Sequence, residues 1–305
     1  MSGVSEMIGV SDKSWLIDLL SSVATSRPNL VPEIAANNDQ HIYSTYFGLG
    51  HQLKLHDRPG VFKVSLAGMA LGSYLLKGLT HDELTGRLLD LGTGSGILAL
   101  LLRSLGANDI TASDVSTSAV GLALENEILN FRGSRIRFFS GDLFVGLPEG
   151  DRYDTVIFNP PGWRAPSEKF LDRLRRNGDG VDMTPETMFY GDAVLLRFLK
   201  DLPDRMNRTG RAIVGLNSLV GIRDVLARYK AFYPAGAPLQ FQLLERHSLP
   251  LLFYSPGWKR AEPSLREEFE EWRDSYGAAY TIDGQGRLYW SYEVVECRCV
   301  PTALG

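Results

Sequence analysis

The chain has 305 residues, of which 44% are hydrophobic and 22% charged, so it is long enough to bury at least one sizeable core. Its formal net charge of −4 gives a polyanion no overall attraction, which disfavours a nucleic-acid substrate. Its apolar stretches fall short of the roughly 20 residues that a membrane span needs, and no export signal is evident, so we expect a soluble cytoplasmic protein. With two cysteines and five scattered histidines, the sequence shows no four-ligand zinc pattern.

Residues 1–84 are predicted to form a helical and hairpin segment of their own. Short β-like runs are separated by glycine-containing turns, and a helix ends at Gly78, a typical C-terminal stop. We place a domain boundary near residue 84 and assign the segment before it to substrate recognition. The predicted elements are a helical region at 1–36, β-like runs at 42–47, 52–56 and 61–64, and a helix at 67–77.

Beyond residue 84, strands and helices alternate. Such alternation predicts a mostly parallel sheet with helices on its faces, and the last two strands are expected to pair antiparallel at one edge. The predicted fold class is α/β, with a Rossmann-like seven-stranded sheet in a domain of residues 85–305. The predicted strands are 87–91, 109–113, 135–139, 154–158, 211–216, 239–245 and 288–299, and the helices are 97–105, 118–130, 193–206, 220–232 and 264–276.

The first strand of this domain is followed by a glycine-rich loop that opens a helix, Asp90-Leu91-Gly92-Thr93-Gly94-Ser95-Gly96. Glycines in that context let the backbone approach a ligand closely. They fall at alternate positions, whereas the dinucleotide fingerprint leaves two residues between its second and third glycines. The spacing therefore favours S-adenosylmethionine (SAM) over a nicotinamide cofactor.

The next two strands also end in carboxylates. Asp114 follows the second strand, where its oxygens can accept both hydroxyl protons of a ribose. Asp142 follows the third strand and can accept a hydrogen bond from an adenine amino group, although it could instead cap a helix. Val115 and Leu143 stand beside these carboxylates and are expected to enclose the adenine ring.

The fourth strand ends in Asn159-Pro160-Pro161-Gly162-Trp163. The prolines fix the backbone, so the side-chain oxygen of Asn159 and the carbonyl of Pro160 can both accept hydrogens from an amino or amide nitrogen. Holding those hydrogens would aim the nitrogen lone pair at a sulfonium-bound methyl group. We therefore count Asn159 and Pro160 as catalytic, and Asn159 also as a cofactor contact.

In these motifs the chain resembles the class I SAM-dependent methyltransferases, and within them the Asn-Pro-Pro-aromatic type, above all the release-factor glutamine methyltransferases. The likeness runs from about Tyr46 to Asn217 and includes Tyr190-Gly191-Asp192 at the start of a helix. It implies that Asp90 and the loop of Gly92, Thr93, Gly94 and Gly96 hold the methionine part of SAM. It also implies ribose binding by Asp114 and adenine binding by Asp142.

Two features point to a remodelled acceptor pocket. The position that is aromatic in the resembling group is Gly162, with Trp163 one place later, and the Pro-Arg-x-x-Thr-Glu element of that group reads Lys63-Val64-Ser65-Leu66-Ala67-Gly68 here. Separately, the segment 163–185 is locally basic. One interpretation of this segment is a lid that recognises a carboxylate through arginines such as Arg164 and Arg173, and the other is a solvated helix face. Tyr190 is expected beside the sulfonium, where an aromatic face is favourable, and is counted as catalytic; a core position is the alternative.

The sequence thus predicts a SAM-dependent enzyme that methylates an amino or amide nitrogen, with a small amino-acid- or peptide-like molecule as acceptor. Three alternatives stay open at this point. One is methylation of a protein glutamine. Another is cyclisation of the aminobutyryl chain of SAM, which would release methylthioadenosine instead of S-adenosylhomocysteine. The third is a SAM-binding module without catalysis.

Overall fold

The computed structural model describes residues 42–176, 188–252 and 256–300. The predicted helical region at 1–36 lies outside these residues. All described residues belong to one compact unit that begins at residue 40, so the predicted boundary near residue 84 lies inside it. The assignment of residues 1–84 to substrate recognition stays a prediction.

Strands and helices alternate through most of the described chain. The strands are β1 (Ile42–Tyr46), β2 (Gln52–His56), β3 (Arg87–Leu91), β4 (Asp109–Asp114), β5 (Arg137–Ser140), β6 (Tyr153–Phe158), β7 (Met206–Asn217), β8 (Leu239–Pro250), β9 (Tyr280–Ile282) and β10 (Leu288–Cys299). The helices are α1 (Leu66–Gly78), α2 (His81–Thr85), α3 (Ile97–Ser104), α4 (Thr117–Phe131), α5 (Glu168–Arg176), α6 (Gly191–Arg205), α7 (Ile222–Ala231) and α8 (Pro256–Tyr276), with a 3₁₀ turn at Ser218–Val220.

The main sheet has the strand order β5-β4-β3-β6-β7-β10-β8, and β9 pairs with β10. The first five strands in this order, from β5 through β4, β3 and β6 to β7, run parallel. Strand β10 is antiparallel to its neighbours β7 and β8. The predicted Rossmann-like sheet and its antiparallel edge are therefore confirmed, and short strand β9 is an addition to the seven predicted strands.

The chain moves outward from β3 to β5 and then returns to the other side of β3 with β6. In open parallel sheets, ligands bind at such a switch point, outside the carboxyl ends of the strands. Strands β3 and β6 are almost wholly buried because helices cover both faces of the sheet. Their carboxyl ends are consequently held rigidly at the edge where a ligand is expected.

Strands β1 and β2 form an antiparallel hairpin, as predicted, but the run at 61–64 is not a strand. It leads into α1, which begins where the Ser65 hydroxyl accepts a hydrogen bond from Gly68 N. The hairpin is tied to α4 because Asn126 Oδ1 accepts from His56 N at 2.9 Å. The loop between the hairpin and α1 is therefore fixed against the main sheet.

A second core of aromatic side chains packs away from the sheet centre. It joins the loop after β6 to α5 and α8, with Trp163 in edge-on contact with three rings. Its buried aromatic members are Trp163, Phe170, Phe189, Trp258, Phe269 and Trp272. Among the helices of the described ranges, none combines the length and apolarity required to cross a bilayer.

Candidate active site

A cavity of about 680 Å³ opens at the carboxyl ends of β3, β4 and β6. We call its lining residues after β3, β4 and β5 the cofactor wall, namely 91–95, 113–116 and 141–143. The acceptor wall consists of lining residues 60–68, 158–163, 188, 215, 217, 250–252, 290 and 292. Most predicted site residues line this cavity: Gly92, Thr93, Gly94, Asp114, Val115, Asp142, Leu143, Asn159 and Pro160. Asp90, Gly96 and Tyr190 do not.

The glycine loop owes its shape to three left-handed residues, Gly92, Gly94 and Gly96, with φ of 68°, 55° and 84°. Any residue with a side chain would be strained in this conformation. Gly96 has a further role, because a Cβ there would lie 2.9 Å from Cβ of Ala123 on α4. Gly96 thus permits close helix packing behind the loop, whereas Gly94 has open space in front of it.

Asp90 braces the loop from behind. It is 1% exposed, and its Oδ2 accepts hydrogen bonds from Thr93 Oγ1 at 2.6 Å and Ala99 N at 3.1 Å. Burial raises the pKa of this carboxyl from 3.8 to about 7, although the two hydrogen bonds act in the opposite direction. The structure therefore shows Asp90 holding the loop together, and its predicted contact with the cofactor stays a prediction.

Asp114 links the loops after β3 and β4. Its Oδ2 accepts from Gly94 N and its Oδ1 from Ser116 N, each at 2.9 Å. A carboxylate oxygen offers about two acceptor sites, so each oxygen can also accept a ribose hydroxyl. Val115, next in the chain, is 71% exposed at the cavity wall, which is an apolar surface suited to a ring.

Asp142 has a partner that the sequence did not reveal. Arg197 of α6 donates to both carboxylate oxygens, at 2.6 and 3.1 Å, and both side chains are about half exposed. An adenine amino group would share these oxygens with Arg197. Leu143 adopts a left-handed backbone conformation with φ of 53° and lines the cavity beside Asp142.

Asn159 is held by a residue far away in the chain. The hydroxyl of Tyr292 on β10 donates to Asn159 Oδ1 at 2.8 Å. Tyr292 is 1% exposed yet contributes to the cavity wall. No sequence motif indicated Tyr292, because its position depends on the pairing of β10 with β7.

The loop that carries the two prolines is clamped by the start of α6. Trp163 N donates to Met188 O at 2.9 Å, and Gly191 N donates to Trp163 O at 2.7 Å. Gly191 must be glycine here, since a Cβ would lie 2.0 Å from Pro161 O. A side chain at Gly162 would also be crowded, because its Cβ would lie 2.5 Å from Asn217 Nδ2. The space of the expected aromatic is thus partly filled by Asn217.

The structure places the side chain of Tyr190 on the aromatic core, which is the alternative that the sequence left open. Tyr190 precedes α6 with a left-handed φ of 65°, and its side chain packs against the aromatic core of Trp163 and Phe189. It lies outside the cavity wall. Its catalytic role therefore stays a prediction.

The basic segment is described only in part, because residues 177–187 lie outside the described residues. Arg164 is 4% exposed and donates to Asp224 at 2.6 Å, so its charge is paired inside the fold. Lys169 and Arg173 of α5 both pair with Glu267 of α8. These cations hold α5 on α8, and none of the three lines the cavity.

The cavity wall carries little charge in the part of the chain that the structure describes. Its charged residues there are Lys63, Asp114 and Asp142, and Lys63 is paired with Asp57 at 2.6 Å. The acceptor wall is otherwise apolar or neutral, with Phe62, Val64, Met188, Leu251, Leu252 and Trp290 among its members. Within the described ranges, no group of histidine, cysteine or carboxylate side chains is arranged to bind a metal.

Comparison with known protein families places the chain among methyltransferases. The Methyltransferase small domain family matches residues 52–171, which include the glycine loop, Asp114, Asp142 and the proline loop. A relative from Methanocaldococcus jannaschii named "Putative protein N5-glutamine methyltransferase" is 30% identical over 182 residues, or 59% of this chain and 83% of that protein.

Other relatives cover less. The release factor glutamine methyltransferase of Rhodopirellula baltica is 29% identical over 52% of this chain, which spans only about half (54%) of that protein. A tRNA1(Val) (adenine(37)-N6)-methyltransferase of Bacteroides fragilis is 33% identical over 35% of this chain and 43% of its own length. A solved methyltransferase structure complexed with SAH covers 86% of this chain and 58% of that one at 11% identity, with a TM-score of 0.50, and supports the fold alone.

Proposed function

The chain belongs to the class I SAM-dependent methyltransferases, and from this premise we propose that it methylates an amide or amino nitrogen of an amino-acid- or peptide-like acceptor. The observation that carries the proposal is Asn159, whose anchored side chain lines the same cavity as Gly94 and Asp114. An acceptor of hydrogen bonds thus stands within one cavity with the elements that suit the cofactor.

The residues of the cofactor wall fit SAM. The cavity volume lies within the roughly 300–1,000 Å³ typical of small-molecule sites. Asp114 has acceptor capacity left for the ribose, and the glycine loop exposes open space at Gly94. When bound there, SAM supplies an electrophilic methyl group on a positively charged sulfur. SAM is the cofactor of this family.

The protein's own contribution is to orient the acceptor nitrogen. Asn159 Oδ1 and the Pro160 carbonyl can each accept one hydrogen of an NH₂ group, which leaves its nitrogen facing the cofactor wall. Placing reacting atoms in such a geometry contributes up to roughly 7–11 kcal/mol in well-oriented intramolecular reactions. The apolar members of the acceptor wall would exclude water from the same place.

The charge of the acceptor wall favours a neutral amide over a free amino acid. A zwitterion would bring an ammonium and a carboxylate into a wall whose charged residue, within the described ranges, is Lys63, already paired with Asp57. Burying unpaired charges is costly. A primary amide on a peptide-like molecule is uncharged and carries two hydrogens on its nitrogen.

Mass spectrometry of the purified protein with SAM tests this proposal. SAM is supplied alone, with acetylglutamine methylamide, and with free glutamine, and heat-inactivated protein serves as the control. Methylation of the amide compound with equimolar S-adenosylhomocysteine is the expected result. Methylthioadenosine above the control would instead establish cyclisation of SAM. Preference for free glutamine over the blocked amide would overturn the choice of a neutral acceptor.

A further inference from the structure

The contact between Tyr292 and Asn159 joins the last strand of the sheet to the proline loop across 133 positions of sequence. It is a single hydrogen bond of 2.8 Å in which the phenol is the donor. Burial raises the pKa of the Tyr292 hydroxyl, so the group keeps its proton at any physiological pH. The donor is therefore permanent.

The neighbouring strand leaves room for this hydroxyl. A Cβ on Gly215 of β7 would lie 1.8 Å from Tyr292 Oη and 2.9 Å from Asn159 Oδ1. Any side chain at position 215 would therefore displace the hydroxyl from Asn159. Glycine within a strand weakens it, and such a residue commonly marks the close approach of another group. The close approach here is the Tyr292 hydroxyl.

Strand β10 also supplies aromatic side chains to the acceptor wall. Trp290 and Tyr292 are two residues apart in the strand and so share a face, and both line the cavity. Their rings are 6.0 Å apart and nearly perpendicular. The position after the prolines is Gly162, and Asn217 partly fills the space beside it. β10 thus adds two aromatic rings to this wall beside Phe158 and Trp163.

We propose that Tyr292 is a positioning residue for the methyl transfer, which fixes the Asn159 side chain so that one remaining lone pair of Oδ1 receives a hydrogen of the acceptor nitrogen. An amide oxygen has two lone pairs, and Tyr292 occupies one of them. Without the phenol, the Asn159 side chain can rotate and present its NH₂ group, which repels an N–H donor. This inference rests on the proposed function, and it adds a residue outside the motif.

A double-mutant cycle tests it. Tyr292→Phe removes the hydroxyl and keeps the ring, and we expect kcat for methylation of acetylglutamine methylamide to fall about 10- to 100-fold, with the Kd for SAM unchanged within about twofold. In the Asn159→Ala background, the same change should cost less than about threefold, since the group through which Tyr292 acts is absent. Tyr289→Phe, on the same strand but outside the cavity wall, is the matched control.

The cycle separates positioning from a structural role. Equal losses in both backgrounds, or an unchanged kcat in Tyr292→Phe, would overturn the proposal. A merely structural tyrosine would lower Tm and weaken SAM binding without this dependence on Asn159.

A second readout does not need activity. The side-chain NH₂ signals of asparagine-labelled protein identify Asn159 by their loss in Asn159→Ala, and Tyr292→Phe should shift them whereas Tyr289→Phe should not. If the wild type fails to methylate the amide, the proposed function fails by that result alone. Unshifted Asn159 signals would then refute the inference about Tyr292 independently.

Discussion

The cofactor wall and the acceptor wall of the cavity are built in different ways. The cofactor wall comes from the loops after three successive strands, and the hydrogen bonds of Asp114 join residues close together in the sequence. Gly94 N, 20 positions earlier, and Ser116 N, two positions later, both donate to Asp114. The acceptor wall is assembled from separated segments, with Tyr292 bonded to Asn159 across 133 positions. A site made in this way keeps its cofactor chemistry in motifs and leaves acceptor choice to distant residues.

The largest effect is expected where the acceptor wall meets the reacting nitrogen. Asn159→Ala removes the side-chain acceptor of the proline loop, and we expect kcat to fall about 10²- to 10³-fold, the range seen when one preorganised hydrogen-bonding group is removed from an active site. The Kd for SAM should change less than about threefold. Steady-state kinetics and calorimetry measure the two quantities.

Asn108→Ala is the control for this change, because Asn108 is exposed and its side-chain amide donates to the nearby Gly106 carbonyl. It should behave as the wild type. A loss of SAM affinity as large as the loss of kcat in Asn159→Ala would mean that Asn159 serves the cofactor wall instead, and the division between the two walls would fail at that point.

The matching change in the cofactor wall is Asp114→Asn. It removes the charge to which the ribose hydroxyls are expected to donate, and hydrogen bonds to charged groups contribute about 1.5–3 kcal/mol. We expect SAM to bind about 10- to 100-fold more weakly, as measured by calorimetry. Asp109→Asn, at the other end of β4, should bind SAM normally. Unchanged affinity in Asp114→Asn would remove Asp114 from the ribose site.

The same contrast explains what the sequence could predict. The strand and helix pattern, the sheet and most of the cofactor wall follow from local rules, such as glycine at positive φ in the loop of Gly92 and Gly94. The roles of Tyr292 and Gly215 arise only when β7 and β10 are paired, and that of Asn217 when β7 is paired with β6. Charge alone also misled, because Arg164 looks like a free cation in sequence but is buried against Asp224.

Tyr190 shows a further limit of motif reasoning. It stands in a segment that resembles the family, yet the structural requirement falls on its neighbour Gly191, which has no room for a side chain against Pro161 O. The side chain of Tyr190 packs on the aromatic core, and its catalytic role stays a prediction. Val115 and Leu143, by contrast, lie at the cavity wall as expected, and their contact with adenine stays a prediction.

A pH experiment examines the support behind the cofactor wall. Because the pKa of Asp90 is about 7 in the folded protein against 3.8 as its ordinary value, the folded state holds more protons between these values and its stability falls as pH rises. From pH 5 to 7 this carboxyl should lower the free energy of unfolding by roughly 2 kcal/mol. Asp90→Asn keeps an acceptor for Thr93 Oγ1 but cannot ionise.

Urea unfolding at both pH values measures this difference. The stability of wild type should fall relative to Asp90→Asn as pH rises, while Asp82→Asn, an exposed residue on α2, should follow the wild type. Parallel profiles for wild type and Asp90→Asn would show that Asp90 is ionised at pH 5, and that the loop is held by a charged rather than a neutral carboxyl.

The smallest expected effect concerns Asp142 of the cofactor wall, which is paired with Arg197 of α6. The pair with Arg197 is about half exposed, so it contributes less than about 1 kcal/mol to stability. Arg197→Ala frees both Asp142 oxygens for an adenine amino group, and we expect the Kd for SAM to be unchanged or up to about threefold lower. Arg205→Ala, later on the same helix, is the control. A tenfold weaker Kd in Arg197→Ala alone would mean that Arg197 must hold Asp142 in place before the adenine can bind, which would make this part of the cofactor wall as dependent on distant residues as the acceptor wall.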